Sequence, residues 1–440
     1  MTDLSRRKFL AAGATLAAGL AVAACAGSGD GDGGSGGSGG DPTKLSFWSN
    51  HPGKSTEVEK ELIKRFQAEN PDITVQLVDA GKNYEEAAQK FNAALSGGSV
   101  PDIIILSDVW WFNFAMTGAI TPLDDLFGTA GVDPSGYVPS LVGDYKWNNK
   151  TWALPYARST PLFYYNKRVW SQAGLPDRGP ASWQEFDEWG PRLQKAVGGG
   201  KSAHGWGNAV DYLGWTFQGP NWTFGGAYSD EWTWKFSDAK TIAAAEYLRD
   251  SIHQAKYAKI SNDIAGDFSA GLIASTIAST GDLSGISENS TFDFGTAFLP
   301  APGGVAGCPT GGAGLAIPAK ISDERKVNAL KFIDFITNTA NTAYFSQNVG
   351  YMPVRSASAQ DPSMSTFLDK NPNFRTAIEQ LPKTKPQDYA RVFIPGGDKI
   401  IGTGYEKIGL RNADVAKTLA DMEKQINGIY TSQVQPKLPS

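Results

Sequence analysis

Cysteine and histidine are scarce in this chain, which has 2 cysteines and 3 histidines among its 440 residues. One thiol, Cys25, lies near the amino terminus, so Cys308 is alone in the rest of the chain and no disulfide can form there. The three histidines, His51, His204 and His253, are far apart, and no H-E-x-x-H or G-x-S-x-G motif is present. This pattern gives no support to a metal-dependent or Ser-His-Asp hydrolase. We expect no cofactor and no metal.

Long apolar runs and an excess of positive charge are also missing. The formal charge of −5 and an isoelectric point of about 5.4 argue against a nucleic acid as partner. The apolar stretch 10–24 is rich in Ala and Gly. It is too short for a transmembrane helix, which needs roughly 20 strongly apolar residues. It fits the apolar region of a signal peptide.

The residues around this stretch carry the most specific motif in the sequence. Residues 5–10 read S-R-R-K-F-L, the twin-arginine export pattern. The stretch ends V-A-A-C at Cys25, which resembles a lipobox. The pattern predicts a signal peptide over 1–24 and a lipid on Cys25, with the protein held at the outer face of the cytoplasmic membrane. The alternative is an ordinary signal peptide with a stray cysteine.

The segment 25–42 is almost entirely Gly, Ser and Asp after the cysteine. Such a composition cannot bury enough apolar area to offset its ordering entropy, so it predicts a flexible linker. Asp30 and Asp32 within it suggest a calcium loop only weakly, because no glutamate follows at the required spacing.

After the linker, short apolar strands alternate with amphipathic helices. We expect strands over 45–48, 73–78 and 102–106, and helices over 56–70 and 84–95. This βαβαβ order predicts an α/β fold with a mostly parallel sheet, whose ligands bind at the carboxyl ends of the strands. Later features of the same style are a strand over 273–278, a capping box at Ser182–Glu185 and a helix over 323–338.

Three motifs resemble the signature of extracellular solute-binding proteins of carbohydrate-type ABC importers. They are F-Y-Y-N-K at 163–167, A-G-L-P at 173–176 and S-W-Q-E-F at 182–186. Longer stretches are similar to the Ugp-type branch, which binds glycerol 3-phosphate and glycerophosphodiesters. These stretches are D-A-G-K-N-Y at 79–84, W-T-F-Q-G-P-N-W at 215–222 and D-Y-A-R-V-F at 388–393.

The resemblance implies a two-lobed, periplasmic-binding-protein-like (type II) fold with a ligand cleft between the lobes. The amino-terminal lobe would comprise 43–157 plus 304–352, and the carboxyl-terminal lobe 158–303 plus 353–440. The chain would cross near 154–157, near 299–307 and near Pro353. The implied partners are a glycerophosphodiester such as glycerophosphocholine, with glycerol 3-phosphate as a second candidate, and ABC permease subunits with a cytoplasmic ATPase. We expect a monomer.

Four residues are implied to hold the phosphate. Arg391 matches the family's arginine, and a guanidinium fork suits two phosphate oxygens; its alternative is a surface ion pair. Ser279 would add a hydroxyl, or simply cap a helix. Gly312 aligns with a ligand-contacting glycine, although glycine richness more often marks a turn. Tyr351 would donate its hydroxyl, or lie in the core.

Other residues are implied to hold the glycerol and the headgroup. Asp108 would accept from two hydroxyls and can also cap a helix. Tyr84 would contribute a hydroxyl, with Ser159 as a weaker candidate. Trp215 would form an aromatic wall. Tyr212, three residues earlier, would share its helix face if this stretch is helical, and would leave more room for a headgroup than the family's usual tryptophan.

Two other functions remain open from the sequence. A secreted phosphodiesterase would need a catalytic group that the motifs do not supply. A di- or oligosaccharide-binding protein of the same importer class is a stronger alternative, because 13 Trp and 15 Tyr suit sugars equally well.

Overall fold

The computed structural model describes residues 40–210, 212–302 and 307–438. Cys25, the predicted signal peptide 1–24 and most of the predicted linker lie outside these described residues. No helix in the described ranges is long and apolar enough to cross a membrane.

Strands and helices alternate along most of the chain and are numbered here in chain order. The strands are β1 (Lys44–Ser49), β2 (Thr74–Asp79), β3 (Ile103–Ser107), β4 (Lys146–Trp147), β5 (Lys150–Thr151), β6 (Leu154–Ser159), β7 (Pro161–Asn166), β8 (His204–Trp206), β9 (Ser229–Asp230), β10 (Thr233–Trp234), β11 (Ala258–Ile260), β12 (Ser275–Ser279), β13 (Phe294–Ala297), β14 (Cys308–Pro309), β15 (Gly311–Ala316) and β16 (Thr384–Lys385).

The α-helices follow the same numbering. They are α1 (Thr56–Glu69), α2 (Tyr84–Gly97), α3 (Trp111–Met116), α4 (Asp124–Ala130), α5 (Pro139–Gly143), α6 (Lys167–Gln172), α7 (Trp183–Val197), α8 (Leu213–Thr216), α9 (Gln218–Thr223), α10 (Ala239–His253), α11 (Ile264–Ser269), α12 (Leu283–Asn289), α13 (Asp323–Ile336), α14 (Thr339–Val349), α15 (Pro362–Lys370), α16 (Pro372–Gln380), α17 (Tyr389–Val392), α18 (Gly397–Arg411) and α19 (Val415–Ile429).

The first lobe is built on a five-stranded sheet in the order β2–β1–β3–β15–β6. β1 is parallel to β2 and β3, whereas β15 is antiparallel to both β3 and β6. All five residues of β3 are buried, as its run of Ile and Leu predicts. The elements predicted over 45–106 are all present, with bounds that differ by at most two residues.

A buried ion pair clamps the amino ends of these strands. Arg325 of α13 donates from Nε and Nη2 to the two carboxylate oxygens of Asp102, at 2.6 and 2.7 Å. Its Nη1 also donates to Asp41 O at 2.7 Å, and Nη2 donates to Lys44 O at 2.9 Å. The start of β1 is therefore fixed at the edge of the sheet opposite the carboxyl ends, where a ligand is expected.

The second lobe has its own five-stranded sheet, in the order β11–β8–β12–β7–β13. β7 lies between two antiparallel neighbours and all six of its residues are buried. Helix α7 begins as its sequence predicts, because Ser182 Oγ accepts from Glu185 N at 3.1 Å. A capping box would also have the Glu185 carboxylate accept from Ser182 N. It accepts instead from Ala181 N, one residue earlier.

The first two crossings join these sheets. β6 belongs to the first sheet up to Ser159 and β7 belongs to the second from Pro161, so the chain crosses at Thr160. The boundary expected at Ala157 falls inside β6, because that strand continues its pairing with β15. The second change of sheet occurs between β13 and β15, and residues 303–306 of this segment lie outside the described ranges.

The contacts of the chain beyond Pro353, where the third crossing is expected, involve both sheets. Arg355 still belongs to the first lobe, since its guanidinium donates to the Asp334 carboxylate of α13. Contact with the second sheet is made by Asn373, whose Oδ1 accepts from Thr296 N of β13 at 3.2 Å.

A buried histidine makes the second lobe sensitive to acid. His204 in β8 has no exposed surface, and its Nδ1 lies 2.9 Å from Ser275 Oγ. Burial lowers the pKa of His204 to about 3, below the usual value of 6.5. Between pH 6.5 and 3 the unfolded chain therefore binds a proton that the folded protein does not, and the free energy of unfolding decreases as the pH falls.

We expect this histidine to contribute up to about 1.4 kcal/mol per pH unit to that decrease. Urea unfolding of the unmodified protein and of His204→Gln at pH 7, 6, 5 and 4 measures the contribution. The variant should show the shallower pH dependence, because every other titrating group is common to both proteins. Parallel curves would contradict the assignment.

Candidate ligand-binding cleft

The carboxyl edge of the first sheet brings together several of the predicted site residues. Asp108 follows β3 directly, is 7% exposed, and its backbone N donates to Gly312 O of β15 at 3.0 Å. Ser159 ends β6 and pairs with Gly311. Asp108 does not cap α3, whose preceding residue Trp110 makes no side-chain cap. The helix-cap alternative for Asp108 is therefore wrong, and its carboxylate is directed to other partners.

Gly312 occupies a position that excludes a side chain. Its φ is +98°, a conformation that residues with a side chain rarely adopt, and a Cβ there would lie 2.1 Å from Ala157 O. Glycine at this position therefore allows β15 to lie close to the end of β6, which precedes the first crossing, and next to Asp108.

Arg391 of α17 faces Asp108 from the second lobe. It is 3% exposed, so the alternative of a solvated surface ion pair is wrong. Its Nε donates to Asp398 Oδ1 at 2.7 Å, and its Nη1 lies 3.5 Å from Asp108 Oδ2. Gln387 joins the two, since Arg391 Nη1 donates to its Oε1 and its Nε2 donates to Asp108 Oδ2. The predicted cation and the predicted hydroxyl acceptor therefore lie in direct contact across the cleft.

The sequence reasoning missed Gln387 and Asp398. Gln387 lies four residues before Arg391 but precedes α17, and Asp388 between them is extended, so no helical spacing points to it. Asp398 lies at the start of α18, beyond a turn, and nothing in the local pattern points to it.

Two tyrosines meet at the same edge. Tyr84, the first residue of α2, lies with its hydroxyl 3.2 Å from that of Tyr351, and both are partly exposed. Burial raises the pKa of both hydroxyls well above 10, so both are neutral and able to donate. The ring of Tyr351 packs closely on Gly281 of the second lobe, where a Cβ would lie 3.0 Å from its Cζ. Tyr351 thus links the two lobes.

Ser279 is the last residue of β12 and is partly exposed. Its Oγ accepts from Gly281 N at 3.0 Å, which is the cap that the sequence offered as an alternative. The hydroxyl hydrogen remains available for a second acceptor, so the cap and a ligand contact are compatible.

Trp215 and Tyr212 do not share a helix face. Trp215 lies in α8 and is 4% exposed, and its Nε1 donates to Thr310 O at 2.9 Å. Tyr212 precedes the helix in a left-handed conformation, with φ of +60°, and is 47% exposed. The helix face that the two residues would share does not form, because the backbone turns at Tyr212 before the helix begins at Leu213. Trp215 is fixed, whereas Tyr212 lies at the surface.

Buried aromatic side chains pack on one another between the lobes close to Arg391. Phe112 of α3 stacks on Phe393, which follows α17, with ring centres 4.4 Å apart. Trp111 packs edge-on against Phe393 at 5.8 Å, and Phe112 also lies 6.3 Å from Trp232. These contacts join the two lobes only two residues beyond Arg391.

The histidines have structural partners. His51 Nδ1 lies 2.5 Å from Glu59 Oε2, and this hydrogen bond raises its pKa. His204 pairs with Ser275 inside the second sheet without solvent access, and His253 Nε2 lies 2.8 Å from Gly409 O. Within the described residues there is no group of three or more His, Cys, Asp or Glu side chains able to hold a metal.

Residues 61–376 match the family described as bacterial extracellular solute-binding protein. The sn-glycerol-3-phosphate-binding periplasmic protein UgpB of Escherichia coli K12 is 27% identical over 411 residues, which cover 90% of this chain and 89% of that protein. The UgpB protein of Salmonella typhimurium LT2 is 26% identical over 410 residues, with the same coverage.

Solved structures show the same fold. UgpB from Mycobacterium tuberculosis in complex with glycerophosphocholine superposes with a TM-score of 0.86 and 59% identity, covering 90% of this chain and all of that one. The GacH receptor of Streptomyces glaucescens, solved unliganded and with acarbose, has a TM-score of 0.75 at 20% identity, over 88% of this chain and 98% of that one. The latter likeness shows the two-lobed fold alone.

Proposed function

The chain belongs to the bacterial extracellular solute-binding protein family as a UgpB-like component of an ABC importer, and we propose that its interlobe cleft captures glycerophosphodiesters, with glycerophosphocholine as the representative ligand. Members of this class deliver their solute to permease subunits. The observation that carries the proposal is the buried Arg391 facing Asp108 at 3.5 Å from the opposite lobe. The relative of 59% identity was solved with glycerophosphocholine, which supports the same ligand here.

The chemistry of the cleft suits the two ends of such a ligand. A phosphodiester carries one negative charge, and the guanidinium fork of Arg391 matches two of its oxygens. Tyr351 and Ser279 would add hydroxyl donors to the same phosphate. Asp108 accepts from the adjacent glycerol hydroxyls, with Ser159 and Tyr84 at the same edge. Gly312 allows the backbone to approach the ligand, and Trp215 forms the wall.

The headgroup would lie toward the surface. Tyr212 is 47% exposed, precedes α8 in a left-handed conformation and lies near the hydroxyls of Tyr84 and Tyr351, so it would place an aromatic ring at the outer end of the cleft. An aromatic face beside a quaternary ammonium contributes about 0.5–2 kcal/mol by cation–π attraction. This arrangement favours diesters with a bulky alcohol over glycerol 3-phosphate, which carries a second negative charge and no headgroup.

A ligand held from both lobes would favour their approach, because it contacts residues on each side at once. The lobes we propose are 43–159 with 311–355, and 161–302 with 373–438, which follow the two sheets. X-ray scattering with and without saturating glycerophosphocholine should show a smaller radius of gyration in the complex. Identical profiles would count against ligand-driven closure.

Isothermal titration calorimetry against glycerophosphocholine, glycerol 3-phosphate and a panel of disaccharides tests the ligand. We expect one molecule of glycerophosphocholine per chain and weaker or no binding of the others. Tight binding of a disaccharide without the phosphodiester would overturn the proposal. Release of choline or glycerol 3-phosphate during incubation would show a phosphodiesterase instead.

We also propose that Cys25 carries a lipid that holds the protein at the outer face of the cytoplasmic membrane after twin-arginine export. The motif at 5–10 and the V-A-A-C sequence support this. In cell fractionation, Cys25→Ala should move the protein from the membrane fraction to the soluble exported fraction. Cys308→Ala is the matched control, since Cys308 is buried and should not affect the distribution. Persistent membrane association of Cys25→Ala would mean that something else holds the protein.

A further inference from the structure

A charged pair lies buried beside the cleft, and the proposed binding of the ligand does not use it. Arg158 of β6 has no exposed surface, and its guanidinium donates to the Asp144 carboxylate. Arg158 Nη1 also donates to Tyr145 OH at 2.7 Å. The Asp144 side chain is only 6% exposed. Two charges of this kind are expensive to bury, so a role beyond packing is expected of them.

The pair contacts the chain close to each crossing. Arg158 lies two residues before Thr160, and its carbonyl O accepts from Met352 N at 2.8 Å. The Thr310 side chain, on the second crossing segment, faces Asp144. Thr310 O in turn accepts from Trp215 Nε1. A change in the cleft or in the angle between the lobes therefore alters the surroundings of this pair.

The electrostatics of the pair depend on Asp108. The charged or titratable groups that face Asp144 are Arg158, Tyr145 and Asp108. Arg391, 3.5 Å from Asp108, balances part of the Asp108 charge. A phosphate that takes the Arg391 fork withdraws that compensation, and the Asp108 charge then acts more strongly on Asp144. A like charge nearby favours the protonated form of a carboxyl group.

We propose, on the basis of the function proposed above, that Asp144 takes up a proton from solvent, in part of the molecules near neutral pH, when a phosphodiester binds in the cleft and returns it when the ligand leaves. The proton bonds to a carboxylate oxygen of Asp144, and Arg158 stays charged throughout. Arg158 then contributes a cation that is no longer neutralised by its partner, next to a cleft that has just received an anion.

The titration of Asp144 falls in a useful range. Burial raises its pKa to about 6, Arg158 lowers it and Asp108 raises it. Near pH 6.5 a modest further rise on binding is enough to draw in a fraction of a proton. Because binding and protonation favour each other, affinity increases as the pH falls from 7.5 to 5.5. Each unit by which the ligand raises the pKa adds up to about tenfold.

Calorimetry with glycerophosphocholine at pH 6.5 in MES and in imidazole buffer tests the proposal. These buffers differ in ionisation enthalpy, so proton uptake appears as a difference between the apparent binding enthalpies. We expect a difference in the unmodified protein and none in Asp144→Asn. The dissociation constant of the Asp144→Asn variant should also be independent of pH between 5.5 and 7.5. Asp334→Asn, which removes a carboxylate paired with Arg355 away from the cleft, should behave like the unmodified protein.

The outcomes separate the two proposals. Equal enthalpies in both buffers, with glycerophosphocholine bound, would overturn the proton coupling and leave the ligand assignment intact; this comparison needs only the unmodified protein. Absence of binding would overturn both. Asp388 is another carboxyl group whose pKa is raised by burial to about 6. Proton uptake that persists in Asp144→Asn and disappears in Asp388→Asn would assign it to Asp388 and overturn the role of Asp144.

Discussion

Replacing Arg391 by alanine is expected to reduce the affinity for glycerophosphocholine by at least about 100-fold. Hydrogen bonds from a charged donor contribute about 1.5–3 kcal/mol each, and a fork that makes two of them reaches this loss with ease. The guanidinium is also the group that faces the cleft from the second lobe with a full positive charge beside Asp108. Calorimetry at pH 7.5 measures the loss, and circular dichroism checks that the fold is retained.

The stability of Arg391→Ala is expected to fall as well, because Asp108 and Asp398 lose their cation. Removing one partner of a buried pair costs about 3–5 kcal/mol, and Asp398 is partly exposed, which moderates this cost. Arg391→Lys keeps the charge without the fork and should lose an intermediate amount of affinity. Arg325→Lys, at the opposite end of the first sheet, should lower stability while leaving affinity unchanged. Full affinity in Arg391→Ala would remove this residue from the site.

Gly312→Ala is expected to damage both the fold and the cleft. Its φ of +98° disfavours a side chain, and the added Cβ would lie 2.1 Å from Ala157 O, so β15 must shift away from β6. Backbone strain of about 1–2 kcal/mol and overpacking of about 1–3 kcal/mol together predict a loss of roughly 2–5 kcal/mol of unfolding free energy. Because Gly312 O accepts from Asp108 N, the shift also moves the proposed hydroxyl acceptor, and affinity should fall more than about tenfold.

Gly98→Ala is the matched control for backbone conformation. Gly98 has φ of +77° at the end of α2, and a Cβ there would meet nothing within 4 Å. We expect a loss of about 1 kcal/mol and unchanged affinity. Urea unfolding and calorimetry compare the two variants. Equal stabilities would show that the contact with Ala157 O is relieved without cost.

The first strands and helices of the folded region were predictable because the sequence patterns that specify them are local. Four consecutive apolar residues in β3 predict a buried strand, and the spacing of Val58, Leu62 and Phe66 predicts α1. The two-lobed arrangement and Arg391 came from the family resemblance, since a single arginine in a four-residue helix carries no pattern of its own.

Other features depend on contacts between distant residues, and the sequence could not supply them. The turn at Tyr212 breaks the expected helix face through a left-handed backbone conformation that tyrosine rarely adopts. The ion pair of Arg355 with Asp334, some twenty residues earlier in the chain, also carries no local signal. Burial of Asp144 beside Arg158 likewise exists only once β6 has joined the first sheet.

The hydrogen bonds from Arg325 to Asp41 O and Lys44 O also fix the point at which the predicted linker would join the folded body. If Cys25 is lipidated and residues 26–41 behave as the flexible linker that their composition predicts, the average span from the bilayer to this fixed point is roughly 20–24 Å. This point lies at the amino end of β1, so the whole length of that strand separates it from the proposed ligand cleft. A body attached in this way would sample a small volume around its anchor, and it would meet a neighbouring permease at an effective concentration on the order of millimolar.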